Sequence, residues 1–206
     1  MLNLPNILTL SRIGVIPPLI ALFYWHNPMA GWVMMGLFAV AGITDFFDGY
    51  IARSRRQISR LGRMLDPIAD KLLVASTVIM LVAFGHAPAL AALVILCREI
   101  MVSGLREFLA EIKVGMPVSR LAKWKTMIQM VAIGFLLVGE AGPVFWPPYV
   151  TTPVVGVVLL WLAVALTLIT GFDYLRAGLK HMREPGPKPP RRAGVKAAGS
   201  TTSPAR

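Results

Sequence analysis

The chain has 206 residues, of which 56% are hydrophobic and 15% are charged. Soluble domains carry about 25% charged residues, so this composition excludes a soluble enzyme and predicts a single membrane-embedded domain. The formal net charge is +11, and the single cysteine, Cys97, excludes an intrachain disulfide.

Six apolar segments, each about the 20 residues that a membrane-crossing helix needs, predict six transmembrane helices. In chain order the predicted spans are 4–25, 29–51, 66–85, 87–109, 121–138 and 153–172. The first span has no basic residues before it, so we expect it to be retained rather than removed as a signal peptide. The sequence therefore predicts an all-α integral membrane fold with one catalytic domain over residues 1–183.

The basic residues all fall on one side of these spans. The first, third and fifth connections contain no Lys or Arg, whereas the second carries several, including Arg55, Arg56 and Arg60. The positive-inside rule therefore predicts that both termini are cytoplasmic, and the charge indicates anionic membrane lipids rather than nucleic acid. Residues 184–206 combine Pro, Gly and positive charge without apolar periodicity, which predicts a disordered basic tail.

Four carboxylates lie where the second and third spans approach the basic connection: Asp45, Asp48, Asp66 and Asp70. Each costs roughly 2.5–3.5 kcal/mol in a bare membrane helix, so a functional role is expected. The spacings i, i+3 and i, i+4 place each pair on one helix face, and two facing helices would bring four carboxylates together. Without His or Cys, such a site suits hard divalent cations, and we expect two Mg²⁺ or Mn²⁺ ions.

A structural explanation exists for part of this cluster. Asp66 could cap the third helix, and Asp70 could pair locally with Lys71. Neither explanation covers Asp45 and Asp48, which follow more than ten residues of apolar helix. The metal-site interpretation therefore remains the stronger one.

Small residues and a guanidinium accompany the first aspartate pair. Gly49 and Ala52 share the face of Asp45 and Asp48, so a ligand or another backbone can approach closely. Arg53 follows at the rim of that face, where a guanidinium can bind a phosphate through two parallel hydrogen bonds. This pattern predicts a phosphate-bearing ligand beside the metal ions.

Together these residues form one motif of eight fixed positions, Asp45-x2-Asp48-Gly49-x2-Ala52-Arg53-x8-Gly62-x3-Asp66-x3-Asp70. The motif resembles the signature of the CDP-alcohol phosphotransferases, integral membrane enzymes of phospholipid synthesis. The resemblance implies a six-helix fold, usually homodimeric, with a dinuclear metal site at the cytoplasmic membrane surface. It also implies transfer of a phosphate-bearing group from a CDP-linked donor to an alcohol, with release of CMP.

The resemblance assigns roles to individual residues. It implies that Asp45 and Asp66 bridge both metal ions, that Asp48 binds one ion, and that Asp70 binds the other and acts as general base. Asn6, Thr9 and Arg12 resemble the family's opening motif. The residues expected to bind the CDP-diacylglycerol donor are Gly49, Ala52, Arg53, Ser59, Gly62, Asn6 and Thr9.

The segments 98–111 and 123–130 resemble a bacterial branch of the family that uses sn-glycerol 3-phosphate as acceptor. A phosphate monoester requires a cationic pocket, and the expected residues are Arg98, Arg106, Lys123 and Lys125. The two arginines could instead pair with Glu99, Glu107 or Asp173.

The resemblance thus implies a phospholipid-synthesising enzyme of the bacterial inner membrane, with its active site facing the cytoplasm and phosphatidylglycerophosphate as product. Within the family, phosphatidylglycerol is an alternative acceptor, which would make the protein a cardiolipin synthase, and inositol phosphate or serine are others. Outside the enzymes, the carboxylates could form the site of a small cation transporter, although cationic side chains beside the path would repel the cargo.

Overall fold

The computed structural model describes residues 4–55, 60–111, 120–145 and 149–183, and for part of the helix ends, including residues 45–55, it describes the backbone alone. The helices are α1 (Leu4–Phe23), α2 (Pro28–Arg55), α3 (Arg60–Ala83), α4 (Ala89–Glu111), α5 (Arg120–Val138) and α6 (Thr152–Arg183). Within the described ranges the remaining regular structure is a 3₁₀ turn, Gly139–Ala141, and one β-bridge between Val144 and Thr151. The all-α prediction is confirmed.

Several helices extend beyond the predicted spans at the end that carries the basic residues. Helix α2 continues to Arg55, α3 begins at Arg60, and α6 continues to Arg183. The added turns are rich in Arg, Lys, Leu and Met, which favour helix even where hydropathy falls. Asp66 consequently lies inside α3, and the explanation of Asp66 as a helix cap is wrong.

Contacts between neighbouring helices run in the order α1, α2, α5, α6, α4, α3 and back to α1, and α3 also touches α5. Between described residues the direct contact of α2 with α3 is small, because both helices pack mainly on α1. Every helix contributes a buried apolar side chain to the shared core, for example Leu19, Phe38, Leu73, Ile95, Ile133 and Leu160.

Two glycines allow close approach of backbones at the end of the bundle opposite the basic residues. A Cβ atom on Gly31 of α2 would lie 2.8 Å from the carbonyl oxygen of Val138 at the end of α5. A Cβ atom on Gly156 of α6 would lie 2.8 Å from the Leu136 side chain. Real Cβ atoms do not tolerate such distances, so these helix crossings require glycine.

Two helical segments, Leu121–Ala141 and Thr152–Arg176, are long and apolar enough to cross a membrane. Thr9–Phe23 and Pro28–Thr44 are apolar but shorter within the described residues. Large apolar side chains also lie exposed around the bundle, among them Ile79, Leu93, Val158 and Ile169. Such a surface suits lipid rather than water, which supports a membrane-bound protein. The number of spans and their orientation stay predictions.

Candidate active site

The four aspartates of the motif lie on two helices. Helix α2 carries Asp45 and Asp48, and α3 carries Asp66 and Asp70, towards the connection that joins the two helices. Of these side chains the structure describes that of Asp70. Among the described side chains no group of three or more His, Cys, Asp or Glu could hold a metal ion. The dinuclear site therefore stays a prediction, and its fit to Mg²⁺ or Mn²⁺ depends on the all-oxygen donor set.

The predicted donor-binding residues are described to different degrees. Thr9 on α1 is buried, and Arg12, one helical turn further on, is also buried. Ser59 lies outside the described residues. For the others the structure gives a helical backbone without describing the side chain: Asn6, Gly49, Ala52, Arg53 and Gly62.

Asp70 is half-buried on α3, and its negative charge acts on Lys125 of α5. The adjacent Lys71 turns to α4, where its Nζ donates a hydrogen bond to the Ser103 hydroxyl. This bond ties α3 to α4 beside Asp70.

A cleft of about 970 Å³ lies between α2, α4 and α5. Its charged end is lined by Arg98, Glu99, Arg106 and Lys123. The remainder is lined mainly by apolar side chains, including Met35, Phe38, Met127, Met130 and Phe135. The cleft therefore offers a cationic compartment continuous with an apolar one.

An ion network centred on Glu99 forms one wall of the charged end. Glu99 Oε2 accepts hydrogen bonds from Lys125 Nζ at 2.8 Å and from Arg98 Nη1 at 3.2 Å. Arg98 Nη2 also reaches the Thr170 hydroxyl of α6 at 3.5 Å. The side chains of Lys125 and Arg98 are 2% and 10% exposed. The pairing of Arg98 with Glu99, which the sequence left open, is therefore present. Through Lys125 and Thr170 the network joins α4 to α5 and α6.

Tyr174 of α6 lies between the two predicted arginines. The guanidinium carbons of Arg98 and Arg106 are each 5.9 Å from the centre of the Tyr174 ring. An aromatic face attracts a cation at this distance, so the buried ring holds both guanidinium groups in place.

The structure thus brings three of the four predicted acceptor residues, Arg98, Arg106 and Lys123, to one cleft. Lys125 does not line the cleft; it is buried behind Glu99 and pairs with that carboxylate. Sequence reasoning missed Tyr174 and the central position of Glu99. Glu99 was visible as an acidic residue next to Arg98, but no signal in the sequence shows that the Tyr174 ring of α6 lies against the arginines of α4.

The match to known proteins covers most of the chain. A family model described as CDP-alcohol phosphatidyltransferase matches residues 2–169. The chain belongs to the CDP-alcohol phosphatidyltransferase family, as the aspartate motif predicted.

Curated relatives from several bacteria carry one name, CDP-diacylglycerol–glycerol-3-phosphate 3-phosphatidyltransferase. The protein of Rickettsia typhi is 50% identical over 177 residues, which cover 86% of this chain and 97% of the relative. The protein of Cereibacter sphaeroides is 38% identical, covering 88% of this chain and 98% of the relative. That of Salmonella typhimurium is also 38% identical, covering 85% and 94%.

Proposed function

We propose that this protein transfers the phosphatidyl group of CDP-diacylglycerol to sn-glycerol 3-phosphate, with release of CMP, and so makes phosphatidylglycerophosphate. The names of relatives up to 50% identical over most of the chain support this reaction. The structural observation that carries the choice of acceptor is the convergence of Arg98, Arg106 and Lys123 at one end of the cleft.

The cationic end of the cleft suits a phosphate monoester. Arg98, Arg106 and Lys123 line this end of the cleft against the single carboxylate of Glu99, which buried Lys125 pairs from behind, so the wall keeps a positive excess. Hydrogen bonds from guanidinium or ammonium groups to phosphate oxygens are shorter and stronger than neutral ones. The Tyr174 ring restrains two of these groups before the acceptor binds, which lowers the ordering cost of binding.

Asp70 is the proposed general base. It removes the proton from the 1-hydroxyl of glycerol 3-phosphate, and this oxygen attacks the phosphorus that bears diacylglycerol. The bond from that phosphorus to the oxygen of CMP breaks, and CMP leaves with the electron pair. Asp70 is not among the residues that line the cleft, and its role as base is supported by its place in the aspartate motif.

The donor half of the site is proposed on the first three helices. Asp45, Asp48, Asp66 and Asp70 would hold two divalent cations, Mg²⁺ or Mn²⁺. When bound, these ions would supply the positive charge that neutralises the pyrophosphate and stabilises CMP as leaving group. The residues proposed to hold the cytidine diphosphate are Asn6, Thr9, Gly49, Ala52, Arg53, Ser59 and Gly62. The apolar part of the cleft suits an acyl chain of a lipid substrate.

The proposed setting is the bacterial inner membrane, crossed six times, with both termini and the active site on the cytoplasmic side. The restriction of Lys and Arg to one end of the bundle supports this orientation. A homodimer is proposed from the family resemblance alone.

A cardiolipin synthase of the same family is the second candidate. Its acceptor, phosphatidylglycerol, carries a phosphate diester with a single negative charge, which needs fewer cations than the cleft supplies. A cation transporter is disfavoured because Arg98, Arg106 and Lys123 would repel its cargo.

The test is to reconstitute the purified protein in vesicles that contain CDP-diacylglycerol and to supply glycerol 3-phosphate, inositol phosphate or serine in turn. CMP release and the mass of the new lipid are measured together. We expect both with glycerol 3-phosphate. CMP release with another of these acceptors, and none with glycerol 3-phosphate, would contradict the proposal.

A further inference from the structure

The two oxygens of the Glu99 carboxylate have different surroundings. Oε2 accepts the hydrogen bonds of both Lys125 and Arg98. Oε1 has no hydrogen-bond partner among the residues that the structure describes. Glu99 also lines the cleft, and 35% of its side chain is exposed. One carboxylate oxygen is therefore committed to the ion network, and the other remains available.

This arrangement is unexpected in a pocket for an anion. The side chains around Glu99 at this end of the cleft, Arg98, Arg106 and Lys123, donate hydrogen bonds and accept none. Glu99 is the one carboxylate among the described lining residues, and its charge weakens the attraction for phosphate. A bound molecule that forms a hydrogen bond with the Glu99 carboxylate must therefore supply the hydrogen atom itself, for example from a hydroxyl group.

We propose that Glu99 Oε1 accepts a hydrogen bond from the free hydroxyl of the acceptor, and that Glu99 thereby selects a polyol phosphate over a phosphate without that hydroxyl. The inference rests on the proposed function. In sn-glycerol 3-phosphate the 1-hydroxyl reacts and the third carbon bears phosphate, so the hydroxyl in question is the 2-hydroxyl.

The position of Glu99 beside the proposed phosphate compartment supports this role. Its partner Arg98 belongs to that compartment, and Arg106 and Lys123 line the same end of the cleft. An acceptor whose phosphate binds these cations would bring the neighbouring 2-hydroxyl next to Glu99. The two cations on Oε2 also fix the carboxylate before binding, so the remaining oxygen is pre-organised.

The test compares glycerol 3-phosphate with 3-hydroxypropyl phosphate, which keeps the phosphate and the reacting primary hydroxyl but lacks the 2-hydroxyl. We expect the wild-type kcat/KM to be about tenfold or more higher for glycerol 3-phosphate. In Glu99→Ala the two acceptors should differ by less than about threefold. A merely structural role would lower both values by the same factor and leave their ratio unchanged.

Because Glu99→Ala leaves buried Lys125 without its counter-ion, the ratio is also measured in the double variant Glu99→Ala/Lys125→Met, which removes that charge. Glu107→Gln on the same helix is the matched control and should keep the wild-type ratio. A wild-type ratio near one, or a wild-type ratio retained in both Glu99 variants, overturns the inference alone. A wild-type protein that does not use glycerol 3-phosphate overturns the proposed function and this inference with it.

Discussion

Two buried cationic side chains, Lys125 and Arg98, are paired with one carboxylate. Lys125 is almost completely removed from solvent and depends on the Glu99 carboxylate, as does Arg98. Removing one partner of a buried pair costs several kcal/mol because the other charge stays buried, so substitutions at these positions mix stability with function. Arg106 and Lys123 are exposed and line the cleft, which makes them the cleaner probes of acceptor binding.

Asp70→Asn should abolish turnover while binding of CDP-diacylglycerol stays measurable. The amide has nearly the same shape and can remain a weak ligand, but it cannot take the proton of the acceptor hydroxyl. CMP release and CDP-diacylglycerol binding are measured on the same purified variant. Near-normal CMP release would refute the role of Asp70 as general base.

Arg106→Gln and Lys123→Gln should each raise KM for glycerol 3-phosphate by about tenfold or more, because a charge-assisted contact contributes roughly 1.5–3 kcal/mol. KM for CDP-diacylglycerol should change by less than about threefold, since the cytidine diphosphate of the donor is proposed to bind to residues of the first three helices and not to these cations. Arg176→Gln, an exposed position on α6 outside the cleft, serves as the control. An unchanged acceptor KM in both cleft variants would count against the acceptor site.

The bounds of helices with continuous apolar sequence follow closely from the sequence. For α5, residues 121–138 are expected and the helix spans Arg120–Val138. Helix α3 was predicted to begin at residue 66 but begins at Arg60, because hydropathy marks the apolar span and not the helix. The order of helices around the bundle was not predictable, since it depends on long-range contacts. The clustering of Arg98 and Arg106 around Tyr174 follows from that order, so sequence patterns could suggest the arginines but not the ring between them.

Gly31→Ala should destabilise the bundle, because the added Cβ would lie 2.8 Å from a backbone oxygen of α5, which cannot move aside alone. Overpacking of this kind costs about 1–3 kcal/mol. Gly36→Ala on the same helix has no atom within 4 Å of the new Cβ, and should be neutral or stabilising by about 0.5–1 kcal/mol. Melting temperatures of both variants in one detergent provide the comparison, and equal values would contradict the close α2–α5 crossing.

In the molecule as a whole, the apolar surface and the cationic surface are separate. Apolar side chains cover much of the exterior, whereas Arg98, Arg106 and Lys123 gather at one end of a cleft that opens to the surface. This separation suits an enzyme that takes one substrate from lipid and the other from water. The aspartate motif was recognisable from sequence because its chemistry depends on residue types at short fixed spacings along two helices.

Removal of divalent cations should stop the reaction. The four carboxylates are a donor set suited to Mg²⁺ or Mn²⁺, and without these ions most of the charge of the pyrophosphate would remain unneutralised. Activity is measured after EDTA treatment and again after either ion is added back. We expect complete loss followed by recovery. Activity that survives exhaustive chelation would show that the reaction needs no divalent cation.

The choice of glycerol 3-phosphate as acceptor is tested by a competition in which reconstituted protein receives CDP-diacylglycerol with glycerol 3-phosphate and phosphatidylglycerol present together. Mass spectrometry then measures how much of each lipid product forms for every CMP released. We expect phosphatidylglycerophosphate in amounts matching CMP, with little cardiolipin. Cardiolipin as the main product would contradict glycerol 3-phosphate as the acceptor and would assign the cleft to a lipid acceptor.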